Sequence, residues 1–424
     1  MKRSVSFGLL TSVALAALTV SGFSFAADAP QAAPHWGEGG VPQFELDRSW
    51  PKVPAQFKVG FGTSVFGDKN GHVWILSRPR RLSKEDQAHA APPVMEYDIA
   101  GNYIQGWGGK SGPGYQWPSN EHGMFIDDQG FVWIEGNQDG NTGKPDELPN
   151  DNQIIKFTKD GKFVMAIGKS GQTGSNKTEV LRGATDMFVN AKNNEVYVSD
   201  GYGNSRIMVY NATTGAFIKM WGAYGHKPLD MADRTARSPL KADPWMAVSE
   251  VLQQFGSPMH NVKVSNDQLV YTADRGNKRV QVFTLDGKFL TEQFIGIDLP
   301  DLEARAITFS PDANQNFLYV GGTPDAWILN RRTLEILGTI KTIPEGGPPG
   351  QSGATNIGHF VGVDTAGNFY TAAELSTALG TTRGAFKYTL KGYSPKIPCC
   401  QAPRNINASA ASTGSKEGVV EGVR

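Results

Sequence analysis

The stretch HGMFIDDQGFVWI (residues 122–134) contains a short apolar strand, a polar Asp/Gly turn and a second strand rich in aromatic and β-branched residues. The same pattern returns in HNVKVSNDQLVY (260–271) and HFVGVDTAGNFY (359–370). Three more copies lack the leading histidine: GTSVFGDKNGHVWI (62–75), ATDMFVNAKNNEVYV (184–198) and RAITFSPDANQNFLYV (305–320). Repetition at a period of roughly 40–60 residues indicates an array of one structural unit.

A second hairpin follows each copy. Its turns read DIAG (98–101), TKDG (158–161), NATTG (211–215), TLDG (284–287), NRRT (330–333) and TLKG (389–392). Two hairpins in sequence make a four-stranded meander, which is one blade of a propeller. Closing six blades into a ring limits the exposed sheet edges, whereas six independent hairpins in a sandwich would not explain the regular repeat. The sequence therefore predicts an all-β fold, a six-bladed β-propeller.

The segments around this ring have their own composition. Residues 1–26 resemble a secretory signal peptide, with Lys2 and Arg3 before an apolar stretch and a small-residue cleavage site. Residues 27–42 are predicted to be a flexible segment, 43–396 the propeller and 397–424 a disordered tail. The sixth outer hairpin is short, so residues 44–50 are predicted to add its edge strand. Residues 223–256 interrupt the rhythm, and the helical spacing of apolar residues in 244–255 predicts a short helical insertion on a rim loop.

Charge, apolar runs and cysteine content argue against a nucleic-acid-binding protein, a membrane-embedded protein and a body crosslinked by disulfides. Lys plus Arg and Asp plus Glu both number 41, so a nucleic-acid partner, which requires a basic surface, is not expected. After residue 26 no apolar run is long enough to cross a bilayer, so we expect an exported protein, periplasmic or secreted, that is not embedded in a membrane. The two cysteines, Cys399 and Cys400, are adjacent and cannot crosslink the main body.

Three histidines begin inner strands of alternate blades. In a propeller the first strand of a blade leaves one mouth of the central channel and the second strand returns to it. His122, His260 and His359, in blades two, four and six, are therefore expected to form a triangle at one mouth. Three histidines with a fourth position open are typical of a catalytic zinc site. The remaining histidines are predicted to lie at the surface, with His72 in a hairpin turn.

The ends of the second strands contribute to the same mouth. Arg78, Tyr202 and Arg275 follow the second strands of blades one, three and four. Tyr202 and Arg275 stand in two related loops, VSDGYGNSR (198–206) and TADRGNKR (272–279). Each loop has an Asp, an Asn and an Arg at corresponding positions, which we expect to bond the local backbone. Tyr202 and Arg275 do not repeat between the loops, so they are the candidates for chemistry.

These loops and histidines carry a resemblance to a known family. The repeats are similar to NHL repeats, and the site residues resemble the core of peptidyl-α-hydroxyglycine α-amidating lyase, over most of residues 55–395. The resemblance implies that His122, His260 and His359 hold zinc. It also implies that Tyr202, within Ser199–Arg206, is the catalytic tyrosine and that Arg275 and Arg78 are the functional arginines.

The match departs from that family at three supporting positions. The residue after the family's tyrosine is a disulfide cysteine, and here it is Gly203. The methionine two residues before the third histidine is Ile357 here. The family's structural calcium uses an aspartate directly after the third histidine, and here that position is Phe360.

The resemblance implies a zinc-dependent lyase that cleaves the C–N bond of an N-acyl or peptidyl α-hydroxyglycine into an amide and glyoxylate. In that reaction Tyr202 is the general base, and Arg275 and Arg78 hold the carboxylate. One alternative is a non-catalytic NHL propeller whose rim binds a protein or glycan partner. Another is a metal-dependent propeller hydrolase or lactonase, although such sites rely on carboxylate and Asn ligands rather than histidines.

Overall fold

A computed structural model of the chain describes residues 40–138, 151–230, 253–296, 303–322, 325–342, 359–373, 383–394 and 420–421. The strands in chain order are β1 (Val41–Asp47), β2 (Phe61–Gly67), β3 (His72–Arg78), β4 (Val94–Asp98), β5 (Tyr103–Trp107), β6 (Glu121–Ile126), β7 (Val132–Gly136), β8 (Gln153–Phe157), β9 (Phe163–Gly168), β10 (Ala184–Asn190), β11 (Glu195–Asp200), β12 (Arg206–Asn211), β13 (Phe217–Trp221), β14 (Asn261–Val264), β15 (Leu269–Asp274), β16 (Arg279–Thr284), β17 (Phe289–Phe294), β18 (Ala306–Phe309), β19 (Phe317–Gly321), β20 (Asp325–Asn330), β21 (Ile336–Lys341), β22 (Val361–Val363), β23 (Phe369–Ala372), β24 (Ala385–Ser394) and β25 (Val420–Glu421). Single-turn 3₁₀ segments lie at Pro79–Arg81, Asp86–His89, Ala223–Gly225 and Arg275–Asn277.

The strands form six antiparallel sheets, so the predicted six-bladed propeller is confirmed. Each of the first five blades is a meander of four consecutive strands, beginning with β2, β6, β10, β14 and β18. The sixth sheet has the order β1-β24-β23-β22. Neighbouring blades bury apolar side chains between them, and the indoles of Trp74 and Trp133 are fully buried.

The repeated Asp turn has a structural explanation. Asp127 Oδ1 accepts hydrogen bonds from the backbone N–H groups of Gln129 (2.9 Å) and Phe131 (3.0 Å). Its other oxygen, Oδ2, accepts one from the indole of Trp133 at 2.8 Å. The carboxylate thus closes the turn and holds the aromatic side chain of the returning strand. Asp68 and Asp364 make the equivalent turn contacts in blades one and six.

The chain closes the ring with its N-terminal strand. β1 pairs antiparallel with β24, from Val41 opposite Ser394 to Asp47 opposite Lys387. An edge strand is therefore present as predicted, but it covers Val41–Asp47 instead of residues 44–50 and begins two residues before the predicted start of the propeller.

The sixth outer turn was wrongly predicted. Residues 389–392 lie inside the continuous strand β24, with a register shift opposite Gln43 and Phe44. Because β1 supplies the fourth strand of this blade, the chain does not need to reverse there. Gly392 takes a positive φ of 128°, which lets the strand absorb the irregularity.

Several predicted segments lie largely outside the described residues: the signal peptide 1–26, most of 27–42, Cys399 and Cys400, and most of the helical insertion. Of that insertion the structure describes a 3₁₀ turn at Ala223–Gly225 and irregular backbone on either side of 231–252. In the predicted disordered tail only 420–421 are described. They pair as β25 with β13, the outer edge strand of blade three. Among the described helical segments none has the length and apolar character needed to cross a bilayer.

Candidate metal centre

The three predicted histidines meet at one point. His122 is the second residue of β6, His260 directly precedes β14, and His359 lies two residues before β22. Their ring centroids are 5.1 Å (His122–His260), 4.7 Å (His122–His359) and 4.8 Å (His260–His359) apart. One nitrogen from each ring lies within 4.8 Å of the others, and all three side chains are buried. The triangle expected from alternate blades is therefore present.

A β-bulge at the start of β6 displaces His122 from the regular strand alternation. Glu121 pairs with Gly136 and Met124 pairs with Ile134, so His122 and Gly123 form the irregularity. Bulges redirect side chains at the ends of strands.

Each imidazole is held through Nδ1. His260 Nδ1 lies 2.7 Å from the carbonyl oxygen of Arg305, and His359 Nδ1 lies 3.3 Å from that of Thr63. Carbonyl oxygens only accept, so these Nδ1 atoms carry the proton and the Nε2 lone pairs remain for a ligand. His122 Nδ1 lies 3.0 Å from Glu135 Oε1. Such outer partners orient metal-ligating histidines.

The geometry and protonation of the triangle suit a divalent metal. His122 Nε2 and His359 Nε2 are 3.2 Å apart. Two lone pairs at that distance repel unless a cation lies between them, and tetrahedral zinc with Zn–N bonds of ~2.0–2.1 Å separates its ligand nitrogens by about 3.3 Å. Burial, followed by neighbouring positive charges, lowers the pKa of all three imidazoles well below the ordinary 6.5. The rings are therefore neutral and able to bind metal at physiological pH.

These lowered pKa values predict metal binding that is insensitive to mild acid. Three histidines with ordinary pKa values would lose roughly fiftyfold in zinc affinity between about pH 7.5 and about pH 6.0, because protons compete for each ring. Here the imidazoles are already unprotonated in that range, so we expect the affinity to change only a few-fold. Competition titration with a zinc indicator at several pH values measures this. A fiftyfold loss would mean that the rings titrate as exposed histidines do.

Glu135 is a site residue that the sequence reasoning missed. Its side chain is fully buried in β7, and burial, together with the nearby Asp186 charge, raises its pKa well above the ordinary value. A Cβ atom at position 123 would collide with Glu135 Oε1, so Gly123 provides the space for the contact with His122. The available signal was a charged residue in the otherwise apolar strand VWIEG (132–136), because charged side chains are rarely fully buried unless paired.

We expect Glu135→Gln to weaken zinc binding by roughly ten- to a hundredfold, the usual effect of losing a partner of a metal-ligating histidine. The amide keeps the size of the side chain, so the fold should be retained. Zinc competition titration measures the change, and circular dichroism checks the fold. Unchanged affinity in a folded variant would remove Glu135 from the metal centre.

Tyr202 extends over the triangle from the loop after β11. Its hydroxyl oxygen lies 3.3 Å from His122 Nε2 and 3.3 Å from His260 Nε2. The loop is tied down as predicted, because Asp200 Oδ2 accepts from Asn204 Nδ2 at 2.8 Å and from Arg206 Nε at 3.0 Å. The phenol therefore faces the same nitrogens that would hold a metal.

The two predicted arginines lie at the same mouth. Their positive charges are among the causes that lower the pKa values of His122 and His359. Arg78 is buried and its Nε donates to the carbonyl oxygen of Glu121 at 2.6 Å. Arg275 is partly exposed and its Nε donates to Glu303 Oε2 at 2.8 Å. All six predicted site residues are thus grouped at one end of the channel.

Of the three positions that depart from the resembled family, Ile357 lies outside the described residues, and the other two are filled by other groups. A Cβ atom at Gly203 would collide with Arg182 Cγ, so Arg182 occupies the space of a side chain there. Phe360 is buried, and its ring centroid lies 5.3 Å from that of His122 and 5.4 Å from that of His359. A phenyl ring offers no oxygen ligand, so this position does not fit calcium.

A second group of potential metal ligands is explained by ion pairing without a metal. Asp68, His72 and Glu96 place ligand atoms within 4.8 Å of one another. His72 begins β3, opposite Asp98 of β4, instead of lying in the hairpin turn as predicted. Its ring pairs with buried Glu96 at 2.6 Å. Lys159 Nζ lies 2.6 Å from the same Glu96 oxygen. The ammonium group already provides the positive charge at this cluster.

Comparisons with known proteins agree with the resemblance seen in the sequence. No family model matches the chain. It is 24% identical to NHL repeat-containing protein 3 of Mus musculus over 64% of this chain and 65% of that protein. It is 25% identical to peptidyl-alpha-hydroxyglycine alpha-amidating lyase 1 of Drosophila melanogaster over 78% of this chain and 58% of that protein. The matches thus span about three fifths of the length of these relatives.

Among solved structures, the β-propeller domain of Cps50 (Swd1) from Myceliophteria thermophila aligns with a TM-score of 0.45 at 10% identity. The alignment covers 82% of this chain and 99% of that domain.

Proposed function

We propose that this protein is a zinc-dependent carbon–nitrogen lyase that converts an N-acyl or peptidyl α-hydroxyglycine into an amide and glyoxylate. The observation that carries the proposal is the Tyr202 hydroxyl, 3.3 Å from Nε2 of both His122 and His260 at a buried three-histidine triangle. The similarity to amidating lyase 1 of Drosophila melanogaster supports it.

His122, His260 and His359 would hold the metal through Nε2. The chemistry that bound zinc supplies at such a site is Lewis-acid polarisation of the substrate hydroxyl oxygen. The Nδ1 partners, Glu135 and two backbone carbonyls, keep the rings in one orientation, and the carbonyls also fix the tautomer of His260 and His359.

Tyr202 is the proton-transfer group. As the general base, in its phenolate form, it would take the proton of the substrate hydroxyl and become the neutral phenol. The substrate oxygen then forms a C=O bond while the C–N bond breaks. The electron pair of the C–N bond moves to nitrogen. Tyr202 then returns the proton to that nitrogen, which gives the amide. Atoms and electrons balance without any co-reactant.

The arginines provide binding for the substrate carboxylate. Guanidinium groups bind carboxylates through two parallel hydrogen bonds, and Arg275 and Arg78 stand at the mouth that the substrate would enter. The substrate is accordingly a small acylated or peptidyl acid rather than a neutral or basic molecule.

Export to the periplasm or the exterior is part of the proposal. Its support is the signal-like composition of residues 1–26. The propeller rim provides a surface for a protein partner, but the chemistry we propose does not require one.

A second candidate is a non-catalytic NHL propeller that binds a protein or glycan. The similarity to NHL repeat-containing protein 3 of Mus musculus favours it. Such a scaffold has no use for a buried triangle of neutral imidazoles beneath a tyrosine, so metal content separates the two candidates.

The test is an assay of the purified, zinc-loaded protein with N-benzoyl-α-hydroxyglycine, following benzamide and glyoxylate. Near-stoichiometric zinc and turnover that stops on chelation support the lyase. Stoichiometric zinc with no release of glyoxylate contradicts it and leaves a metal-dependent hydrolase or lactonase. A protein that binds no metal contradicts both enzymes and leaves the scaffold.

A further inference from the structure

One carboxylate at the channel mouth joins two arginines from neighbouring blades. Glu303 Oε2 accepts from Arg275 Nε at 2.8 Å and from Arg305 Nε at 2.6 Å. Arg275 follows the second strand of blade four, whereas Glu303 and Arg305 precede the first strand of blade five. The exposed fractions of the side chains are 21% for Arg275, 31% for Glu303 and 9% for Arg305. Neither Glu303 nor Arg305 was predicted from the sequence.

We call the group of Arg275, Glu303 and Arg305 the clasp. It differs from an ordinary surface ion pair, which contributes little to stability, because one carboxylate oxygen holds two guanidinium groups. Two guanidinium groups on one oxygen would repel each other without the negative charge between them. Burial alone would raise the pKa of Glu303, but the charges of Arg275 and Arg305 lower it below the ordinary value. Glu303 is therefore ionised at neutral pH and holds both cations.

The clasp leaves the outer end of Arg275 available. The only hydrogen bond that its side chain makes to the part of the chain that the structure describes is made by Nε. The two terminal nitrogens, Nη1 and Nη2, carry the donors that bind a carboxylate side by side. Fixing Nε sets the plane of the guanidinium group, and with it the direction of those donors.

The same clasp adjoins the metal centre. Arg305, the second cation on Glu303, accepts the Nδ1 proton of His260 at its backbone carbonyl oxygen, at 2.7 Å. Glu303 thus links Arg275 to Arg305, and the backbone carbonyl of Arg305 orients the candidate metal ligand His260. A displacement of Arg275 relative to His260 would separate the carboxylate-binding group from the reacting centre.

We propose that Glu303 is a positioning residue that aims Arg275 at the carboxylate of the substrate. The inference rests on the proposed function for the identity of that carboxylate. It does not require Glu303 to touch the substrate. The contrasting role is purely structural, an ion pair that joins blades four and five.

The test is Glu303→Gln, which keeps the shape of the side chain and removes its charge. For the zinc-loaded protein we expect KM for N-benzoyl-α-hydroxyglycine to rise by roughly tenfold or more while kcat changes little, the signature of lost substrate binding. Zinc content should stay unchanged. Asp267→Asn is the matched control, because Asp267 is a partly exposed carboxylate paired with Arg331 at 2.8 Å in the β14–β15 turn, away from the mouth. It should leave KM unchanged.

A double-mutant cycle separates positioning from a structural role. If Glu303 acts through Arg275, then Glu303→Gln has no further effect on KM when Arg275→Ala is already present. Equal and independent effects in the two backgrounds, or a KM equal to that of the parent protein in the single variant, would overturn the proposal.

Binding of glyoxylate, measured by calorimetry in the same proteins, distinguishes failure of the positioning role of Glu303 from failure of the lyase function. If the parent protein binds glyoxylate at least tenfold more tightly than Glu303→Gln but has no turnover, the positioning role stands and the lyase function fails. If the parent protein turns over and Glu303→Gln matches it in both KM and glyoxylate affinity, the lyase stands and the positioning role fails. A parent protein that neither turns over nor binds glyoxylate overturns both.

Discussion

Replacement of Tyr202 by phenylalanine is expected to lower turnover of an α-hydroxyglycine substrate by roughly a hundredfold or more, the scale of a lost general base. The hydroxyl oxygen is the only atom removed, and it is the atom that lies 3.3 Å from Nε2 of both His122 and His260. The ring should keep its place, because it packs edge-on against His122 and His260 at 5.3 and 5.8 Å between centroids. Steady-state kinetics on the purified variant, with zinc measured in the same sample, give the result.

Zinc content is the internal control for that experiment. The proposed metal ligands are three imidazoles and do not include the phenol of Tyr202. The Tyr202→Phe variant should therefore bind zinc as the parent protein does. Full activity in a zinc-loaded variant would exclude Tyr202 as the base. Loss of zinc along with activity would instead make the hydroxyl a part of the metal site.

Replacement of His260 by alanine should abolish both metal binding and activity. Apparent zinc affinities of roughly 10–16 kcal/mol at four-ligand sites correspond to about 3 kcal/mol per ligand, so one lost imidazole weakens binding by over a hundredfold. His260 is a cleaner choice than His122, since removal of His122 would also leave the buried Glu135 without its partner. Elemental analysis after dialysis, together with the glyoxylate assay, measures both effects.

His89→Ala is the matched control for this substitution. His89 is exposed, in the 3₁₀ turn Asp86–His89. It should keep both zinc and activity. A His260→Ala protein that retains stoichiometric zinc and normal turnover would show that the triangle is not the metal centre.

The fold could be predicted because its signal is local and repeated. Each inner hairpin carries alternating apolar residues and a polar turn, and in three blades an Asp carboxylate closes its own turn and holds the aromatic residue that follows. The error at residues 389–392 arose because a TLKG sequence resembles the other outer turns. Its conformation depends on β1, which comes from the opposite end of the chain.

The site could be predicted in part for the same reason. A residue at a fixed position in a repeat returns to the same place in each blade, so the sequence spacing of His122, His260 and His359 predicted their convergence. Glu135 and Glu303 have no such repeat. The role of Glu135 depends on a contact with His122 on the neighbouring strand of the same blade, and that of Glu303 on a contact with Arg275 across a blade boundary.

By itself, the sequence determined the number of blades, the strand that completes the last one and the six residues that gather at one mouth. These features follow from the repeat in the sequence, because the order of the strands and the directions of their side chains recur in every blade. Only the tertiary structure decided which nitrogen of each imidazole faces the centre, which acids support the site and how burial lowers the histidine pKa values. Those properties depend on distances of a few ångströms between particular side chains, within blade two for Glu135 and between blades for the other partners, and no local pattern specifies them.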